Sequence, residues 1–130
     1  MTVKPVSVEN LTDHLQRRTF HLTDTFTGRE NLPVVQLHYT GWPDHGVPSG
    51  ETMDSFRIML DEFIRFLLTK DEKAIVHCSA GVGRTGTTIV LAHLIMNLWA
   101  QKNAGIQDPK MSVFSTVRRI RWHRAYLVQS

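Results

Sequence analysis

A cysteine and an arginine lie six positions apart in a glycine-rich segment, residues 74–86, and these residue types together could bind a phosphate and attack it. The apolar residues 74–76 predict a buried strand, and the apolar run from Ile89 onward predicts a helix. The turn between them would present the thiol of Cys78 at a helix N-terminus, where anions are stabilised. The same field favours the thiolate, which is the nucleophilic form of cysteine.

The backbone of this turn is predicted to form an anion-binding nest of N–H groups. Its glycines allow backbone angles that other residues resist, and the guanidinium of Arg84 is a planar donor for two phosphate oxygens. The expected phosphate-binding residues are Ser79, Ala80, Gly81, Val82, Gly83 and Arg84.

Two other interpretations compete with this one. A lone cysteine after an apolar strand is more often a buried structural thiol, but the arginine and the glycines favour a catalytic one. Residues 81–86 also fit the G-x-G-x-x-G pattern of dinucleotide-binding turns. The bulky side chain of Arg84 argues against that pattern, as does the lack of a second strand that ends in an acidic residue about twenty positions further on.

Three motifs carry a family resemblance. Residues 77–86, His-Cys-Ser-Ala-Gly-Val-Gly-Arg-Thr-Gly, resemble the active-site loop of protein tyrosine phosphatases. Residues 42–48, Trp-Pro-Asp-His-Gly-Val-Pro, resemble the mobile acid loop of the tyrosine-specific branch. Val128 and Gln129 resemble the glutamine loop that positions water in those enzymes. The resemblance covers essentially the whole chain and implies that residues 1–130 are the C-terminal portion of a catalytic domain.

The resemblance implies hydrolysis of phosphotyrosine through a phosphocysteine intermediate, with no metal or other cofactor. Cys78 would attack phosphorus while Arg84 and the loop amides stabilise the equatorial oxygens. Asp44 would protonate the leaving phenolate and then act as general base on a water held by Gln129, although an aspartate after proline is also a common turn residue. The Thr85 hydroxyl would stabilise the departing thiolate.

Five further residues are expected to support this chemistry. By the resemblance, His77 orients the surroundings of the cysteine, and Trp42 lies at a hinge of the acid loop. Arg121 and Arg124 match positions that flank the phosphate pocket, where they would favour acidic or doubly phosphorylated peptides. The family often has a glycine at the position of Tyr126, so this ring should narrow the route to a second phosphate site.

The expected partner is a phosphotyrosine-containing protein or peptide. A phosphotyrosine-binding module without turnover is the alternative, and the sequence does not separate the two. The arginines near the C-terminus are otherwise a solvated face, and no nucleic acid is expected because no stacking platform accompanies them. The longest apolar run, residues 89–100, is too short to span a bilayer, and we expect no membrane contact from this chain.

Composition is compatible with that function. The chain has 130 residues, of which 42% are hydrophobic, and a formal net charge of +3, which suits anionic substrates. Its single cysteine excludes an intramolecular disulfide, and we expect a cytoplasmic location, alone or as the cytoplasmic portion of a membrane-anchored protein. Domains of this family are usually about twice as long, so we expect that an N-terminal half is missing and that the exposed surface promotes association.

The predicted fold class is α/β, with a mixed sheet flanked by helices and the phosphate loop between a central strand and a helix. Residues 11–26 and 34–39 predict two strands joined by a hairpin, and the prolines and glycines of residues 41–50 predict a loop. An amphipathic helix is predicted over residues 51–70, a second helix to about residue 102, and a third from near Ser112.

Overall fold

The computed structural model describes residues 1–43 and 45–129. Within these residues, three strands are followed by three helices, which confirms the predicted α/β class. The residues form two compact units, Met1–Asp61 and Glu62–Ser130.

The first unit contains an antiparallel sheet of three strands in sequence order, β1 (Thr2–Thr12), β2 (Leu15–Asp24) and β3 (Arg29–Tyr39). The predicted hairpin is confirmed, because β2 pairs with β3 across a short turn that contains Gly28 at φ +68. Strand β1 was not predicted, although its valines at positions 3, 6 and 8 are typical of strands. All three valines are exposed, so no buried face marked the strand in the sequence.

Two details of the predicted sheet are wrong. The sheet of the described residues is antiparallel throughout, not mixed, and residues 74–76 form no strand. Ile75, predicted to be buried, is 90% exposed. A strand needs a neighbour to bind its backbone N–H and C=O groups, and the three strands present pair only with one another. A short apolar run cannot show whether such a neighbour exists.

Helix α1 (Glu51–Thr69) has nearly the predicted bounds. In the first unit its buried residues include Phe56 and Leu60, and the sheet contributes Leu15, which is fully buried. A hydrogen bond of 2.7 Å between the hydroxyls of Thr12 and Ser55 joins the end of β1 to the helix. The hydrophobic face of α1 and this polar contact together fix residues 51–61 of the helix in the first unit.

The second unit contains α2 (Gly83–Asn103) and α3 (Val113–Arg121). Its hydrophobic cluster comprises Val90, Leu94, Ile120 and Leu127, against which Ile89, Val117 and Val128 pack. Ser112 caps α3 as its position predicts, because its hydroxyl accepts the N–H of Ser115 over 3.1 Å. Val113, the first residue of α3, is 55% exposed and lies outside this core. No helix of the described residues combines the length and the apolar character that a bilayer span requires.

Candidate active site

Cys78 lies in an irregular loop that ends where α2 begins. Its side chain is half-buried, and its sulfur accepts a hydrogen bond from the backbone N–H of Gly81 over 3.2 Å. Gly81 has φ +73, a left-handed conformation that glycine adopts easily and that lets the loop curl around the sulfur. Gly83, also predicted to need unusual angles, instead has a helical conformation as the first residue of α2.

The pKa of the Cys78 thiol is lowered from 9.0 to about 7. Burial is the largest single influence and raises the pKa, but it is outweighed by hydrogen bonds that favour the thiolate. The donors are the Thr85 hydroxyl and the backbone N–H groups of Thr85, Gly81 and Val82. The Thr85 hydroxyl oxygen is buried and finds no partner of regular geometry among the described residues, so the thiolate is the acceptor that satisfies it.

The first turn of α2 is open to an anion. Val82 is the N-cap of this helix and makes no side-chain hydrogen bond to it. Because the first N–H groups of a helix have no partner within it, those of α2 can bind an anion beside the sulfur. The hydroxyls of Thr87 and Thr88 donate to the carbonyl oxygens of Gly83 and Arg84 over 3.1 and 2.8 Å, which braces the turn.

Arg84 is tied to the loop that carries the cysteine. One of its guanidinium nitrogens donates to the hydroxyl of Ser79 over 3.3 Å. The ring Nδ1 of His77, an exposed residue, lies 3.4 Å from the carbonyl oxygen of Cys78. Arg84 therefore lies within the candidate site. The contact of His77 with the carbonyl oxygen of Cys78 is long for a hydrogen bond.

The segment that leads to Gln129 is strained and lies against the start of α2. Tyr126 and Val128 have φ of +64 and +62, left-handed values that are costly for any side chain and most costly for a β-branched one. The N–H of Val128 donates to the carbonyl oxygen of Val82 over 2.8 Å. A Cβ atom built on Gly83 would lie 3.5 Å from the carbonyl oxygen of Gln129. The structure thus brings Gln129 beside the phosphate loop.

Two arginines hold this segment and the phosphate loop. Arg121 donates from Nε to the carbonyl oxygen of Leu127 over 2.8 Å, and a terminal nitrogen reaches the carbonyl oxygen of Val128 over 3.3 Å. A guanidinium nitrogen of Arg124 lies 3.4 Å from the carbonyl oxygen of Ala80. The contacts of Arg121 stabilise the strained segment, and that of Arg124 holds the phosphate loop. Neither was evident from the sequence.

A shallow pocket of about 450 Å³ lies on the side of Gln129. It is lined by Arg121, Ala125, Tyr126, Val128 and Gln129. Tyr126 is 79% exposed, so its ring forms part of the wall of this pocket and does not fill it.

Gly86 has a structural role that the sequence analysis missed. A Cβ atom at this position would lie 2.3 Å from the backbone nitrogen of Val128 and 3.1 Å from the carbonyl carbon of Leu127. Only glycine allows the strained segment to approach α2 so closely. A glycine inside a helix is itself a sequence signal of such an approach.

The predicted acid loop belongs to the first unit. The indole N–H of Trp42 donates to the carbonyl oxygen of Gly46 over 3.2 Å, and its ring meets that of Phe56 edge to face at 5.4 Å. Trp42 therefore contacts both Gly46 of the loop and Phe56 of α1. Asp44, the expected general acid, lies outside the described residues.

The second unit brings together most of the predicted site. The residues gathered there are His77, Cys78, Ser79, Ala80, Gly81, Val82, Gly83, Arg84, Thr85, Arg121, Arg124, Tyr126 and Gln129. Among residues 1–43 and 45–129, no three His, Cys, Asp or Glu side chains cluster so as to hold a metal ion. The arrangement can stabilise a thiolate and bind an anion beside it.

Comparison with protein families and curated proteins gives a consistent result. The family model for protein-tyrosine phosphatase matches residues 1–130. Human receptor-type tyrosine-protein phosphatase H is 43% identical over 103 residues, which are 78% of this chain and 8% of that protein. Mouse receptor-type tyrosine-protein phosphatase eta is 37% identical over 102 residues, with the same two shares. The chain therefore spans only a small part of these relatives.

Solved structures show the same similarity. The catalytic domain of human protein tyrosine phosphatase non-receptor type 18 is 32% identical, with a TM-score of 0.79. The match covers 98% of this chain and 43% of that chain. A structure of PTPN18 in complex with phosphopeptides is 31% identical, with a TM-score of 0.79, and covers 98% of this chain and 41% of that chain. The chain is thus similar to less than half of each of these structures.

Proposed function

Because this chain belongs to the protein tyrosine phosphatase family, we propose that it hydrolyses phosphotyrosine in proteins or peptides through a phosphocysteine intermediate. The observation that carries the proposal is the Cys78 thiol, whose pKa of about 7 leaves a large thiolate fraction at neutral pH. This thiolate lies in a loop that leads directly to the uncapped N-terminus of α2. A nucleophile and a phosphate-binding backbone thus occur in one short segment.

In the first step, the Cys78 sulfur attacks phosphorus, a sulfur–phosphorus bond forms, and the bond from phosphorus to the tyrosine oxygen breaks. The free N–H groups at the start of α2 and the guanidinium of Arg84 bind the equatorial oxygens, on which negative charge accumulates. Asp44 gives its proton to the leaving phenolate. A dianionic substrate repels ordinary nucleophiles, and this positive environment offsets that repulsion.

In the second step, water attacks the phosphocysteine, and the products are inorganic phosphate and the free thiolate. Asp44 accepts the proton of this water, and Gln129 positions it. Support for Gln129 comes from the contacts of Val128 with Val82, which keep the glutamine segment beside the phosphate loop. The Thr85 hydroxyl stabilises the thiolate as it departs, in keeping with its influence on the pKa of Cys78.

The proposed partner is a phosphotyrosine-containing segment, and the structure of PTPN18 with phosphopeptides supports this class of ligand. We also propose that residues 1–130 are the C-terminal portion of a catalytic domain that acts in the cytoplasm. The partial coverage of the similar structures supports the first statement. We further propose that this chain associates with other polypeptide through an apolar surface that a longer catalytic domain would cover. The exposed apolar side chain of Ile75 supports this proposal.

Rapid-mixing kinetics on p-nitrophenyl phosphate test the proposal. A phosphatase with a phosphocysteine intermediate should release a burst of nitrophenol of up to one equivalent per Cys78, followed by steady turnover. The Cys78→Ser variant, whose hydroxyl remains protonated, should show neither phase. If the chain bound vanadate but released no nitrophenol, it would be a binding module without turnover, and the proposed function would be wrong.

A further inference from the structure

The solvent-facing side of α3 carries two aromatic side chains that protrude from the surface. Phe114 is 77% exposed and Trp122 is 82% exposed. Arg118 lies between them, four residues from each, and Trp122 keeps a helical backbone as the C-cap, so the three side chains share one face. At about 1.5 Å per residue, the two aromatic positions are about 12 Å apart along the helix. We call Phe114, Arg118 and Trp122 the α3 stripe.

The α3 stripe does not contribute to the hydrophobic core of the second unit. The residues of α3 that pack in that core are Ile120 and Val117, which lie on a different face of the helix. Phe114 and Trp122 therefore leave their rings in water without a gain in packing. Protruding aromatic rings beside an arginine are the combination enriched at the energetic centres of protein interfaces.

The sequence that contains the stripe is basic, although Asp108 directly precedes it. Residues 109–129 contain five lysines and arginines and no aspartate or glutamate. An acidic segment would therefore be attracted to this surface, and Arg118 could bind a carboxylate with its planar fork. We propose that the α3 stripe is a docking site for an acidic segment of a protein partner, with two apolar side chains about 12 Å apart and carboxylates between them.

The geometry favours a protein segment over the two other acidic surfaces. A helix that lies on an anionic membrane presents a continuous apolar face to the lipid, whereas the apolar face of α3 packs in the core. Single-stranded nucleic acid stacks successive bases on neighbouring rings, and the two rings of the stripe are separated by more than two helical turns. The two separated rings of the stripe can each contact one apolar side chain of a protein segment, and Arg118 between them can bind a carboxylate of the same segment.

The stripe shares no residue with the phosphate loop or with the segment that leads to Gln129. Docking is therefore separable from the chemistry at Cys78. The stripe should add affinity for protein partners without a change in the hydrolysis of a small aryl phosphate.

Calorimetric titration of the whole chain with a designed probe tests the proposal. The probe is a glutamate-rich helical peptide that carries two leucines two turns apart, and its control has the same composition with the leucines adjacent. Trp122→Ala and Phe114→Ala should each weaken binding of the probe by about tenfold or more, as expected for interface anchors. Arg118→Gln should weaken it less and should reduce its dependence on salt.

Matched variants distinguish the stripe from exposed residues in general. Phe26 is 96% exposed in the turn between β2 and β3, and Phe26→Ala should leave binding unchanged. Arg29→Gln removes a charge from the sheet and should also have no effect. Thermal melting should be the same for Trp122→Ala and the wild type, because an exposed ring contributes little to packing.

Several results would overturn the proposal. Failure of the wild type to bind the probe would contradict it, as would binding of the control peptide as tightly as the probe. So would an equal loss of affinity for the probe in Phe26→Ala and in Trp122→Ala. Binding of phosphatidylserine vesicles or RNA that Trp122→Ala abolishes would assign the stripe to a membrane or to nucleic acid. A dimer seen by sedimentation and lost in Trp122→Ala would assign it to a second copy. A fall in aryl phosphate turnover in this variant would assign it to the catalytic site.

Discussion

The ionisation of Cys78 can be tested without interference, because the chain contains a single cysteine. Its pKa of about 7 is held down by the Thr85 hydroxyl and by three backbone N–H groups, against the opposing effect of burial. Replacement of Thr85 by valine removes the hydroxyl, keeps the volume of the side chain and leaves the backbone donor of residue 85 in place. We expect the pKa of Cys78 in Thr85→Val to rise toward 9.0 without reaching it.

The size of the effect on reactivity follows from these pKa values. At pH 7 a thiol with a pKa of about 7 is about half ionised, whereas one with a pKa of about 9 is about 1% ionised, a ratio of roughly 50. A thiolate of lower pKa is intrinsically less nucleophilic, by roughly tenfold for two pKa units. The net gain in alkylation rate at pH 7 should therefore be about fivefold over a free thiol. The midpoint of the pH profile is the more direct readout.

The assay is the rate of iodoacetamide alkylation of the folded chain as a function of pH, with mass spectrometry to count the adduct. The control is Thr87→Val, because the Thr87 hydroxyl donates to the carbonyl oxygen of Gly83 and not to the sulfur. The midpoint should be near 7 in the wild type and in Thr87→Val, and higher in Thr85→Val. A wild-type midpoint near 9, or equal shifts in the two variants, would refute the reasoning.

The same pKa has a consequence for stability. Because the folded-state pKa of Cys78 lies below its unfolded value, the thiolate stabilises the fold most above pH 9, and this contribution is lost as the pH falls through about 7. The Thr85→Val variant should show a smaller dependence of its melting temperature on pH in this window than the wild type does.

Three further predictions concern the other parts of the site. Gly86→Ala places a Cβ atom 2.3 Å from the nitrogen of Val128, so it should lower the free energy of unfolding in urea by about 1–3 kcal/mol. The control is Gly83→Ala, whose Cβ atom meets only ordinary contacts and should not lower it. Equal stabilities of the two variants would contradict the close approach of Val128 to α2. Arg84→Lys should weaken vanadate binding and slow turnover, because an ammonium cannot bind two oxygens in one plane, and unchanged vanadate affinity would remove Arg84 from the site. Asp44→Asn should slow the hydrolysis of aryl phosphates with basic leaving groups far more than those with acidic ones, and equal slowing would argue against a general acid.

Local patterns predicted the helices and the hairpin well, because these elements depend on neighbouring residues. The apolar spacing of residues 51–70 predicted α1 within one residue at its C-terminal end, and α3 was predicted to start near Ser112, whose hydroxyl caps the helix in the structure. The loop around Cys78 was predictable for the same reason. Its arginine, its glycines and its thiol lie within a single short segment whose chemistry can be inferred from residue types.

Contacts between distant residues could not be predicted from local patterns. Residues 74–76 have the composition of a strand, yet no strand of the described chain pairs with them. The contacts of Arg121 join a helix to carbonyl oxygens six and seven residues later, whereas the family resemblance implied a role of this residue beside the phosphate pocket. The closeness of Gly86 to Val128 likewise depends on how the last residues fold back, which no pattern around either residue specifies.

The claim that Cys78 forms a covalent phosphoenzyme is tested most directly by trapping the intermediate. The chain is mixed with p-nitrophenyl phosphate, quenched within the first turnover and digested, and the peptide that contains residue 78 is weighed by mass spectrometry. We expect this peptide to gain the mass of one phosphoryl group in the wild type and to remain unmodified in Cys78→Ser. Steady release of phosphate by the wild type without phosphorylation of Cys78 at any quench time would contradict the proposed mechanism.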